Sequence, residues 1–113
     1  MIERTVHNPV SGEKATFIET SSETGGARTV IDFEVAPGGG VTDHQHTKHR
    51  EVIEVLEGVS GVRAGGVPRR FGPGERAVID PGTAHDWRNA STGTLKFRGG
   101  FTPGNPEFEA FFR

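Results

Sequence analysis

Within eight residues this 113-residue chain carries three histidines and a glutamate: His44, His46, His49 and Glu51, in the stretch GGGVTDHQHTKHREVIEVLEG that spans residues 38–58. Residues two apart on an extended strand project from one face, so the His44-x-His46 spacing aims two imidazoles the same way. Glu51 opens a second strand-like run, EVIEVLE, in which it shares a face with Ile53 and Val55. A turn between the two runs brings the carboxylate opposite the imidazole pair. Imidazoles and a carboxylate converging from neighbouring strands suit a divalent metal of intermediate softness. Another residue of ligand type, His85, follows the Pro81-Gly82 bend and opens the run HDWRN, with Trp87 and Asn89 on its parity. Closure of strands into a barrel is one way for so distant a histidine to join the first group.

The elements that position these residues are short strands. Seventeen glycines and seven prolines cut the chain into pieces filled by β-branched residues and phenylalanine, the composition of an all-β architecture rich in turns. Strands are expected over 3–7, 14–20, 28–35, 76–80, 85–89 and 95–101, with a turn at Ser11-Gly12, an exposed loop over 19–26 and a hairpin turn at Gly65-Gly66 between SGVRAG and VPRRF. The run over 28–35 alternates, with Thr29, Ile31, Phe33 and Val35 on one face. Pro106 followed by Phe108, Phe111 and Phe112 predicts a short C-terminal helix whose phenylalanines cap a barrel mouth or an interface. No repeat, low-complexity tract or linker divides residues 1–113, so one domain is expected.

Composition also excludes. A net charge of −2 and a pI near 6.2 give no electrostatic case for nucleic acid or an anionic membrane, and Arg63, Arg69, Arg70 and Arg88 read as scattered surface. Without cysteine there are no disulfides, thiolate metal sites or cysteine nucleophiles. No apolar run approaches a signal peptide or the roughly 20 residues of a membrane span, so a soluble cytoplasmic protein is the expectation.

In these motifs the chain resembles a small single-domain cupin. That family's first motif, G-x5-H-x-H-x3-4-E-x6-G, runs through Gly38, His44, His46, Glu51 and Gly58 with every spacing matched. Its second, G-x5-P-x-G-x2-H-x3-N, runs through Gly74, Gly82, His85 and Asn89, with Asp80 where the family has proline. The resemblance implies an antiparallel β-barrel of jelly-roll type holding one divalent transition metal (Fe, Mn, Ni, Co, Cu or Zn) on His44, His46, Glu51 and His85. It also implies a homodimer.

Two functions follow as expectations. The first is a small metal-dependent enzyme acting on a small oxygenated molecule, aromatic or polyketide-like, by dioxygenase or isomerase/cyclase chemistry. In it Glu51 is the candidate base and His49 a second proton-transfer candidate. The other is a non-catalytic module that binds or senses a small ligand around a structural metal. The expected pocket wall is Phe33, Ile53, Trp87 and Phe101, apolar and without a cation for phosphate.

Overall fold

The computed structural model describes residues 4–8 and 13–111. The chain order is β1 (Thr5–Asn8), β2 (Glu13–Glu19), β3 (Thr29–Val35), β4 (Gly40–His44), β5 (Arg50–Glu57), β6 (Ser60–Ala64), β7 (Val67–Phe71), β8 (Arg76–Ile79), β9 (His85–Asn89), β10 (Leu95–Thr102) and a helix, α1 (Pro106–Phe111). They form two antiparallel sheets, a six-stranded one in the order β1-β2-β3-β10-β5-β8 and a four-stranded one in the order β4-β9-β6-β7. This is a jelly roll, with sheets packed face to face and, among the described residues, edges not joined by ladders. The turn at Ser11-Gly12 and Phe112 lie outside the described residues.

Alternation in the sequence becomes alternation in burial. β3 and β10 bury every second residue, placing Thr29, Ile31, Phe33 and Val35 beside Leu95, Phe97 and Phe101 in the interior. Phe97 stacks on Phe33 at 4.9 Å and meets Trp87 edge-on at 4.9 Å, so one ring on the larger sheet grips the smaller. Each large apolar side chain buried in this way contributes about 1.5–3 kcal/mol. Asn89 seals a corner: its amide donates to the carbonyls of Val35 at 3.0 Å and Gly93 at 2.8 Å.

The helix forms where the proline and the phenylalanine spacing predict it. Asn105 caps it by accepting from the Phe108 amide at 3.1 Å. Glu109, buried, accepts from the Ser21 amide at 2.8 Å and from Thr29 Oγ1 at 2.6 Å, which ties the helix to the loop over residues 20–28. Phe108 turns inward onto Phe101 at 4.6 Å, whereas Phe111 is 76% exposed. Of the two described phenylalanines expected to cap, Phe108 does so, whereas Phe111, the last residue of the helix, is left exposed.

Gly58, between β5 and β6, has φ +85°, and a Cβ there would stand 2.9 Å from the Thr94 carbonyl oxygen. Gly66 shares the conformation, at φ +81°, but faces open space. Gly58→Ala is expected to lower unfolding stability by about 2–4 kcal/mol, combining backbone strain with overpacking, and Gly66→Ala by about 1–2 kcal/mol. Urea denaturation of the two variants checks the difference.

Candidate metal centre

His44 ends β4 directly opposite His85, the first residue of β9, and their rings lie 4.2 Å apart. Glu51 is the second residue of β5, opposite Phe101 on one side and Ile79 on the other. The sequence places His46 on the same strand as His44, but β4 stops at His44 and His46 lies in the connection to β5. A backbone clamp holds that loop, since the Gly82 amide donates to the His46 carbonyl at 2.9 Å. Gly82, at φ +82°, thus uses its turn to hold a loop that carries a ligand-type residue. Asp80, standing where the family motif has proline, forms an exposed ion pair with Arg50 at 3.3 Å. Exposed pairs of this kind contribute little.

The ligand-type atoms of His44, His46, Glu51 and His85 all lie within 4.8 Å of one another. That is close to the span of an ion with bonds of about 2.0–2.2 Å on either side. His44 Nδ1 bonds the Thr42 carbonyl at 2.8 Å and His85 Nδ1 bonds the Thr83 carbonyl at 3.0 Å. Each carbonyl therefore holds the proton on Nδ1 and leaves Nε2 basic, the arrangement of metal-ligating imidazoles. His85 Nε2 lies 2.9 Å from Glu51 Oε1, so two electron-rich atoms face each other unless a proton or a cation mediates. His46 Nε2 is buried without a hydrogen-bond partner; the carboxylate oxygen 3.5 Å away lacks the geometry of one. A buried polar atom left in this state is costly, and a cation shared with Glu51 removes that cost. The residues present fit a metal.

Burial pushes the His46 pKa down, opposed by the nearby Glu51 carboxylate and reinforced by the neighbouring histidines. Glu51 is itself 5% exposed and His85 1% exposed, so the centre of the site is buried. Phe101 and Phe108 stand edge-on to the His46 ring at 5.1 and 5.8 Å and wall that side.

His49 is not part of the four-residue set. It is half-buried in the turn before β5, its Nδ1 bonded to the Pro103 carbonyl at 3.0 Å and its ring edge-on to Phe101 at 6.2 Å. Of the expected pocket wall, Phe33, Ile53 and Trp87 belong to the packed core, and Phe101 is buried against His46 and Phe108. Sequence reasoning missed the orienting carbonyls of Thr42 and Thr83. Each lies two residues before its histidine, yet backbone carbonyls leave no mark in residue type.

The Cupin domain family matches residues 31–98, and the chain belongs to that family. It is 31% identical over 97 residues to quercetin 2,3-dioxygenase of Bacillus subtilis (strain 168), and it spans 28% of that protein's length. Among solved structures, KdgF from Halomonas sp. superposes with a TM-score of 0.80 at 20% identity, over 91% of this chain and 89% of that one. An RmlC-like cupin from Shewanella frigidimarina NCIMB 400 does so with a TM-score of 0.77 at 18% identity, over 91% and 86%. At such identities these two likenesses are of fold. No described helix is long and apolar enough to cross a membrane.

Because His46 is held below its ordinary value, the unfolded chain takes up a proton before the native one does. The resulting contribution to metal-free stability is intact above pH about 6.5 and is lost as pH falls from there to the lower native value. His46→Gln is expected to flatten that part of the stability profile, measured by urea denaturation between pH 5 and 8, a range of about the histidine titration.

Proposed function

We propose that this chain is a small metal-dependent enzyme that holds one divalent transition metal on His44, His46, Glu51 and His85. The observation that carries the reading is the unpartnered, buried Nε2 of His46, facing the same centre as a buried carboxylate and two imidazoles whose Nδ1 protons are already committed. When bound, the metal supplies Lewis acidity and a site for an oxygen ligand. The similarity to a protein named quercetin 2,3-dioxygenase supports dioxygenase chemistry on a small oxygenated molecule; isomerase or cyclase chemistry is the alternative for the same metal.

The chain's own groups have separable roles in this proposal. The Thr42 and Thr83 carbonyls orient the rings of His44 and His85. Glu51 neutralises part of the ionic charge and is the base candidate, its Oε1 within hydrogen-bond reach of His85. Phe101 and Phe108 keep water from the His46 side. His49 is the second proton-transfer candidate, anchored through Nδ1 to Pro103. A binding module with a structural metal is the second reading, favoured by that same aromatic wall, which closes part of the site.

Protein purified without a nickel column is expected to contain about one equivalent of transition metal. Replacing His44 or His85 by Ala is expected to weaken metal retention by more than the roughly 10–100-fold that follows loss of an outer-shell partner. Elemental analysis and competition with a chelator measure both. Loaded protein is then incubated with oxygenated aromatic compounds while dioxygen consumption and product mass are followed. Turnover that falls in His49→Gln at full metal occupancy supports the enzyme. Bound, unconverted compound across the panel supports the binding module.

A further inference from the structure

β7 and β8 are the outer strands of the smaller and larger sheets, and no ladder joins them. The turn over residues 72–75 connects them, and backbone bonds fasten it to β5: the Gly74 amide to the Val55 carbonyl at 2.9 Å, and the Val55 amide to the Glu75 carbonyl at 3.0 Å. The two strands are therefore held together at one end. Along the seam between them lies a cavity of about 280 Å³, lined by buried Val62, Phe71, Ala77 and Ile79 and by half-buried Ala64.

The seam's floor adjoins the four-residue cluster. Ala64 is the cross-strand partner of His85, and Ile79 is the cross-strand partner of Glu51. Cross-strand partners point to the same side of their sheet, so both side chains stand beside a ligand-type residue. The rim is unusually apolar for a surface: Val67 is 59% exposed and Val78 55% exposed, one on each strand. Two guanidinium groups also line it. Arg76 reaches Glu54 at 3.7 Å, whereas Arg69 lies 5.1 Å over the Phe71 ring and forms no ion pair among the described residues.

We propose that this seam is the ligand-binding site of the centre and takes a small apolar carboxylate, about one ring in size, with its carboxylate on Arg69. The inference rests on the metal-site reading above. The volume lies just below the roughly 300–1,000 Å³ of drug-sized pockets, which limits the ligand to a single ring with short substituents. Ala64, Ile79, Val62 and Ala77 supply apolar contact, and exposed Val67, the cross-strand partner of Ala64, gains burial when the seam fills. The planar guanidinium fork of Arg69 matches a carboxylate, and its seat on Phe71 leaves the outer nitrogens available. Charge at the rim and apolar surface toward the metal orient such a molecule with its far end against His85 and Glu51.

Benzoate and its neutral counterpart benzyl alcohol are the probes, titrated into protein carrying added Co(II), with amide shifts followed by NMR and cobalt uptake by visible absorption. Benzoate is expected to shift the amides of β7 and β8. Arg69→Gln is expected to weaken benzoate about tenfold, as loss of a charge-assisted pair does, while benzyl alcohol binding stays unchanged. Ala64→Leu is expected to abolish both at unaltered cobalt uptake. Cobalt uptake without a benzoate response in β7 and β8, or benzoate affinity indifferent to Arg69→Gln, overturns the seam. A response there without cobalt uptake overturns the metal reading and leaves the cavity standing.

Discussion

A carboxylate buried among three imidazoles is the constraint on which the rest of this structure turns. Glu51 is almost fully covered, and among the described residues it forms no ion pair with an arginine or lysine. Its neighbours are His46 and His85, and a cation shared among them would supply the compensation. Burying a charge is tolerable only when pairing is good, so the strands that carry these groups must be placed to within a fraction of a hydrogen-bond length. The ladders do this. His44 faces His85 across β4 and β9, and Glu51 is fixed on both flanks by β10 and β8.

The aromatic core serves the same end from the other side. Phe97 packs on Phe33 and Trp87 and thereby joins the two sheets, while Phe101 and Phe108 carry that packing up to His46. Filling the interior here leaves open space at the seam between β7 and β8, where two sheet edges meet without hydrogen bonds. That open space lies next to the polar cluster, since Ala64 and Ile79 are the cross-strand partners of His85 and Glu51. The residues that keep the border from closing, Ala64 and Ala77, are small.

Much of this was legible in the residues. Alternation over 29–35 and 95–101 marked two strands that the structure pairs with one another, and the glycine-bounded histidine motif marked β4, β5 and the turn between them. Pro106 and the phenylalanine spacing marked the helix. His46 was assigned to a strand because a two-residue spacing fits one; the chain instead leaves the ladder after His44, and Gly82 holds the loop by a backbone bond. Phe33, Ile53, Trp87 and Phe101 were read as pocket wall, Ile53 and Trp87 because they share parity with Glu51 and His85. Parity says which face a side chain joins; it does not say whether that face is packed or hollow.

The sequence by itself determined the set of ligand-type residues, the all-β class and the family, because spacing along a strand and glycine at turns are local properties written in residue order. The tertiary structure alone decided that His49 stands outside the cluster, that the carbonyls of Thr42 and Thr83 orient two of its rings, and that a cavity opens between β7 and β8. Each of these depends on backbone groups or on strands far apart in the chain. Where such groups meet is set by the packing of two whole sheets.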